Sequence, residues 1–481
     1  MASIARKELI TDMLTYSFTN IGSDSLYIHL YKCIKNDILS GNLAAGTKLP
    51  SKRSFAKNLG ISTITVENAY AQLQSEGYIY SMPKKGFYIT KIDPPLYTPR
   101  STPQPEAPKT AAKRDYLLDF VNNKTNPDNF PFSIWAKLIR ETISDKSEEL
   151  MMTPPCGGIM ELRRAICSHL KAFRNMEVEP EQVIIGAGTE YLYGLIIQLL
   201  GFRKTYAIEN PSYQKLAQIY KSYQVTYHAI PLDSDGIDIN VLENCAAQIA
   251  HITPSHHYPT GIVTSISRRY ELLAWASREE GRYILEDDYD SEFRLSGQPI
   301  PTLQSIDQSE KVIYINTFAK SLSRTVRLSY MILPKHLLDT FYSQLDFYSC
   351  TVSNFEQYTL ARFLSDGYFE KHINRMRTHY KNIRDSFLKA IRKSSFANRT
   401  RIYGEDAGLH FLINIETGST DEELLQIAQK HNVHISLLSQ YYIEPLGTIP
   451  DHTLLVNYSG LSLEQIPTAV GLLTDIFNEL S

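Results

Sequence analysis

Nowhere in this chain do about 18 uncharged apolar residues follow one another, which excludes the usual signature of a membrane-spanning helix. Arg6, Lys7 and Glu8 stand where the apolar core of an export signal would begin, so the expected location is the cytoplasm, with no membrane partner. Cysteine is scarce. The five residues Cys33, Cys156, Cys167, Cys245 and Cys350 are an odd number and form no CxxC pair, so neither a disulfide framework nor a structural zinc site is expected. Arginine disappears after Arg401, and no internal repeat is present. What remains is ordinary globular composition, 43% hydrophobic and 21% charged, in 481 residues. That length exceeds a single core and predicts about three units.

A net charge of -3 conceals an asymmetry. Residues 1–92 hold 11 Lys/Arg against 6 Asp/Glu, whereas the remainder holds 38 against 46. The basic end is the candidate for a polyanionic partner.

The clearest boundary is KIDPPLYTPRSTPQPEAPKTAAKRD, where prolines and small polar residues replace any apolar period, so residues 93–115 are read as a linker. Before it, Tyr27, Leu30, Ile34 and Ile38 recur at helical spacing. A short helix is expected from a Ser51 cap to Gly60, another from Ser62 with Val66, Ala69, Tyr70 and Leu73 on one face, and then two strands around a Pro-Lys-Lys-Gly turn. That order makes residues 1–92 a winged helix-turn-helix. After the linker, apolar runs such as QVIIGAG, TYAIEN, RYILEDD and VIYINT alternate with helical stretches, which predicts a mostly parallel α/β sheet over 116–345. A long helix and a smaller α+β lobe are expected over 346–481.

The segment 26–79 resembles the GntR-type winged helix through its LPSKR, LGIS, TVENAY and LQSEGYI signatures. The resemblance implies that the helix from Ser62 enters the major groove of double-stranded operator DNA, with Ser51, Lys52, Arg53, Ser62, Thr63, Thr65, Lys84 and Lys85 as contacts. Thr63 departs from the arginine common at that place, which removes a bidentate donor. The alternative, a winged helix used for protein contact, is set aside by where the charge sits: Lys84 and Lys85 at the wing tip, Lys52 and Arg53 at a helix start.

In the second part, Lys320 lies on a Ser/Thr-rich turn between two apolar strands, KVIYI and LSYMIL. A desolvated lysine is a neutral amine able to condense with an aldehyde. Pyridoxal phosphate needs in addition a carboxylate for its ring nitrogen, a donor for its phenolic oxygen and an anion cradle for its phosphate. Asp287 ends an apolar strand, and Tyr289, two residues on, is expected on the same side. Gly188, Thr189 and Glu190 begin a helix whose amides suit a phosphate, and Arg327 can add a cationic fork. The acidic run Asp287, Asp288 and Asp290, or the histidines His251, His256 and His257, could instead hold a metal. With no nearby cysteine and no His pair at helical spacing, no metal is expected.

With ENPSY, TPSHHYPTG, EDDYDSEF and TFAKSLSRTVRLSYMILP in this order, residues from about 118 onward resemble a fold-type I aminotransferase, and the whole chain resembles the MocR/GabR-type transcriptional regulators. The resemblance implies pyridoxal phosphate bonded to Lys320, Asp287 on its ring nitrogen, Tyr289 near its phenolic oxygen, Tyr213 stacked on the ring, and Thr189, Thr317 and Arg327 near the phosphate. It also implies a head-to-tail homodimer. His257, counted with the cofactor residues, and Tyr258 fall where aminotransferases often carry an Asn-Pro pair. An aminotransferase also anchors its substrate's carboxylate with an arginine near the C-terminal lobe. Here HTLLVNYSGLS offers Asn457 and Tyr458, with Lys215 the nearest cationic substitute. The expected function is therefore a DNA-binding regulator that senses pyridoxal phosphate or its adduct with an amine, with residual transaminase activity left open. The alternative is an active aminotransferase that carries a DNA-binding domain.

Overall fold

The computed structural model describes residues 14–18, 24–92, 115–122, 126–295, 300–406, 408–445 and 449–480. All of the linker read at 93–115 except Asp115 lies outside the described residues. The chain forms two compact units, Met1–Lys113 and Arg114–Ser481, one fewer than its length suggests, because the large sheet and the smaller lobe share one apolar core.

In the first unit, α1 (Leu26–Leu39), α2 (Lys52–Leu59) and α3 (Thr63–Ser75) precede an antiparallel hairpin of β1 (Ile79–Met82) and β2 (Gly86–Ile89). Local chemistry sets the helix ends. The Ser51 hydroxyl accepts from Ser54 N at 3.2 Å and the Ser62 hydroxyl from Thr65 N at 3.1 Å, so both serines are N-caps. Gly60 closes α2 with φ +67°, a conformation that costs a side-chain-bearing residue more. Leu30, Ile34, Phe55, Val66, Tyr70, Leu73, Ile79 and Ile89 form the core, each large side chain contributing about 2 kcal/mol by leaving water. Tyr27, on the same helical period in the sequence, is exposed instead. A feature the periodicity does not announce is the packing of Leu14, Tyr16 and Phe18 against this core, where Tyr16 donates to Asp37 at 2.7 Å.

The second unit holds an eight-stranded sheet. Its strands follow in the spatial order Val183–Gly186, Ser329–Ile332, Val312–Thr317, Tyr283–Asp287, Ile249–Ile252, Tyr206–Asn210, Tyr227–Asp233 and Gly236–Ile237. The four pairings from Val312–Thr317 to Tyr227–Asp233 are parallel, and those at the two edges are antiparallel. Near-continuous apolar runs fit strands buried on both faces. A four-stranded antiparallel sheet, ordered Thr400–Tyr403, His410–Ile415, Thr453–Asn457, Ser436–Leu437, forms the smaller lobe.

Two details differ from the sequence reading. The 25-residue helix begins at Tyr368, after the shorter helices Leu338–Leu345 and Asn354–Ser365, because Gly367 at φ +73° interrupts the helical path. Leu118–Asp119, read as part of the large α/β region, pairs with Val433–His434 next to the smaller lobe. Among the described residues, no helix is long and apolar enough to cross a membrane.

Candidate functional site

The parallel strands deliver their carboxyl ends to one edge of the large sheet, the place where open α/β folds bind ligands. Asp287 ends one of these strands, with Ile315 of the neighbouring strand in register beside it. One carboxylate oxygen, Oδ2, accepts from the Tyr193 hydroxyl at 2.5 Å and lies 3.7 Å from His251 Nε2. The other, Oδ1, is buried and has no hydrogen-bond partner. A buried anionic oxygen left without a donor is costly, so this atom points to a missing N–H.

Lys320 follows the adjacent strand Val312–Thr317 and is half-buried. Desolvation pulls its ammonium down to about 7; the Arg324 charge acts in the same direction and Asp290 opposes both. A large fraction of this amine is therefore neutral near pH 7. Thr317 is buried, its hydroxyl accepting from Ala319 N at 3.1 Å and so shaping the turn that carries the lysine.

At the phosphate-like end, Gly188 caps the helix Thr189–Leu200 with φ +95°. A Cβ there would sit 2.8 Å from Arg327 Nη2, so glycine is what allows the guanidinium to approach the helix start. Arg327 itself lies at φ +47° and donates to the Ala187 carbonyl at 3.2 Å and to Glu190 at 3.1 Å. Glu190 also pairs with Lys215, and the Lys215 hydrogen bond is the largest influence holding its carboxyl below the usual range. The Glu190 side chain thus bridges two cations, a role that its assignment as an amide donor did not include. Lys215, suggested as a substitute carboxylate anchor, is engaged here instead.

Other assigned residues lie less simply. Tyr289 is beyond the end of its strand, so alternation does not govern its direction; its hydroxyl lies 3.2 Å from His256 Nδ1. Tyr213 is 53% exposed, edge-on to Tyr258 at 6.2 Å between ring centroids. His257 is buried, with Nδ1 2.7 Å from the Thr260 hydroxyl and Nε2 3.4 Å from Glu209. Burial pulls His257 to about 3 and pushes Glu209 up to about 8, which makes this a mostly neutral internal pair.

Several participants were missed by sequence reasoning. Tyr193 lies four residues after Thr189, one helical turn on, and that spacing beside an aspartate-ended strand was the available signal. His256 and Asp290, considered only as metal ligands, pair at 2.8 Å, and His410 packs on His256 at 4.7 Å between rings. His410 comes from the smaller lobe, and burial keeps it well below its ordinary value. Nothing local in the sequence announces it. Among the described residues, no three His, Cys, Asp or Glu side chains are grouped to hold a metal ion. In the stretch HTLLVNYSGLS, Asn457 is buried and its Oδ1 accepts from Ser459 N at 2.9 Å and Ser459 Oγ at 2.7 Å.

In the first unit, Arg53 and Thr63 are exposed, and Lys84 and Lys85 sit in the hairpin turn, Lys84 at φ +61°. Ser51 and Ser62 spend their hydroxyls as caps, and Thr65 Oγ1 is 2.8 Å from Ser62 Oγ. Lys52 is paired with Glu67 at 2.6 Å and lies over the Phe87 ring.

Comparison with known proteins gives the family of each part. Residues 120–472 match the family described as aminotransferase class I and II, and residues 26–89 match bacterial regulatory proteins of the gntR family. The chain is 36% identical over 442 residues to the HTH-type transcriptional regulator YdeL of Bacillus subtilis, covering 92% of this chain and 94% of that protein. It is 30% identical over 467 residues to the probable rhizopine catabolism regulatory protein MocR of Rhizobium meliloti, covering 94% of each. Among solved structures, kynurenine aminotransferase of Pyrococcus horikoshii has a TM-score of 0.67 at 23% identity, over 76% of this chain and 92% of that one. That last likeness is one of fold.

Proposed function

Because this chain belongs to the MocR-type HTH transcriptional regulators, a gntR-family DNA-binding domain joined to an aminotransferase class I and II domain, we propose that its larger unit binds pyridoxal phosphate and that occupancy, by the cofactor or its adduct with an amine, alters operator binding. The observation that carries this reading is the buried, partnerless Oδ1 of Asp287 on the strand beside Lys320. Asp287 would hold the protonated ring nitrogen, Tyr289 the phenolic oxygen, and Arg327 with the amides at Gly188–Thr189 the phosphate. Bound there, the cofactor supplies an aldehyde for an amine and an electron-withdrawing ring.

The chain's own groups do the rest. Tyr193 holds Asp287 by its Oδ2 and leaves Oδ1 free to accept. Burial keeps much of Lys320 unprotonated, and a neutral amine is the reactive form. His256 Nδ1 stands between Asp290 Oδ2 at 2.8 Å and the Tyr289 hydroxyl at 3.2 Å and so positions both, while burial raises the Tyr289 phenol and keeps its proton in place to donate.

Sensing is favoured over turnover because the chain carries no arginine after Arg401 and the buried Asn457 of the stretch HTLLVNYSGLS is bound to Ser459. The working assembly is a head-to-tail homodimer in the cytoplasm that presents two winged helices to a two-fold operator. Linkage requires that DNA and ligand change each other's affinity by one factor. The deciding experiment is footprinting of the full-length protein and Lys320→Ala, with and without pyridoxal phosphate and a panel of amines. Cofactor-dependent protection lost in the variant supports the proposal; multiple-turnover transamination, or protection indifferent to the cofactor, overturns it.

A further inference from the structure

The face that α3 turns outward carries no cation. At 3.6 residues per turn, burial of Val66, Ala69, Tyr70 and Leu73 leaves Ile64 and Ala71 on the opposite side, with Glu67 and Asn68 flanking them, all exposed. Ile64 stands in the first turn with 68% of its surface open. The first turn is the part of a reading helix that reaches base edges. Glu67 is the only charged residue of α3, and Lys52 holds its carboxylate at 2.6 Å, which keeps it from facing phosphates unpaired. The neighbouring hydroxyls of Ser62 and Thr65 are engaged with each other.

Each base edge in the major groove asks for particular chemistry. Guanine offers two acceptors and is read mainly by Arg or Lys, which α3 lacks. Adenine offers an acceptor beside a donor, matched by a carboxamide, and thymine offers a methyl group, matched by an apolar side chain. We infer that the operator half-site contains a thymine whose 5-methyl group packs on Ile64, with an adenine near it paired to the Asn68 carboxamide. This inference needs DNA binding by α3 and is independent of the cofactor reading.

The test begins with duplexes enriched by the full-length protein from a random pool. Each thymine is then replaced in turn by deoxyuridine, which removes only the methyl group. One thymine per half-site should lose about fourfold in affinity, the effect of about one buried methyl. Ile64→Ala should bind the thymine and uracil duplexes alike, and Ile64→Val should retain an intermediate preference. Asn68→Ala should lose its preference for the neighbouring adenine, and 7-deazaadenine at that position should reproduce the loss with the wild-type protein. Circular dichroism melting checks that each variant is folded. The inference is overturned when no uracil replacement weakens binding, when Ile64→Ala keeps the thymine preference, or when its loss is equal on every duplex.

Discussion

Tyr193 donates its hydroxyl to Asp287 Oδ2 at 2.5 Å, and the same carboxylate leaves Oδ1 buried and without a partner. One oxygen is fixed by a helix and the other is held in reserve. A carboxylate oriented in this way resists rotation, so the free oxygen keeps its aim at whatever donor arrives.

Asp287→Asn removes the anion and leaves a similar shape. Cofactor affinity should fall by about tenfold to a hundredfold, the range of a charge-assisted hydrogen bond. Tyr193→Phe keeps the anion but frees its orientation and should cost less. Titration of both variants with pyridoxal phosphate, followed by visible absorbance, measures the difference; equal binding by Asp287→Asn and wild type would remove the aspartate from its role.

The Lys320 amine, brought down to about 7 from its ordinary value of 10.5, is mostly charged below that pH and mostly neutral above it. Cofactor association should therefore accelerate as pH rises through about 7, and stopped-flow absorbance should show the inflection. Between the two values the unfolded chain holds a proton that the folded chain releases, so the cofactor-free protein should gain stability with rising pH across that window. Lys320→Met should abolish both dependences, as urea melts at several pH values will show.

Glu190 already satisfies Arg327 and Lys215. A phosphate dianion entering this place competes with it, and Glu190→Gln should tighten binding of inorganic phosphate by about threefold to tenfold at low salt. Calorimetric titration provides the measurement. Weaker binding in the variant would mean that the carboxylate supports the cradle.

Lys84 occupies a left-handed backbone conformation at the wing turn. Lys84→Gly removes the charge without backbone strain. It should weaken binding uniformly across DNA sequences and reduce the slope of log affinity against log salt by about 1, with no loss of thermal stability. A loss confined to particular sequences would instead assign Lys84 to base reading.

Much of this was legible in the chain itself. The capping serines Ser51 and Ser62, Gly60 at a helix end, the apolar runs of the large sheet and the placement of Asp287 at a strand end all follow from local patterns, because each depends on neighbours within a few residues. Tyr289 marks where such reasoning stops: the strand ends at Asp287, so the period of two no longer applies to it.

The amino-acid order by itself determined the two-part organisation, the strand and helix content, and the residue types that gather at one sheet edge. Only the folded chain decided that Tyr193 holds Asp287, that Glu190 answers both Lys215 and Arg327, that Lys52 turns to Glu67, and that His410 closes on His256 from the other lobe. Periodicity reports which face of an element is buried, whereas the partner of a polar atom is chosen by segments far away along the chain, and their positions exist only once the sheets have packed.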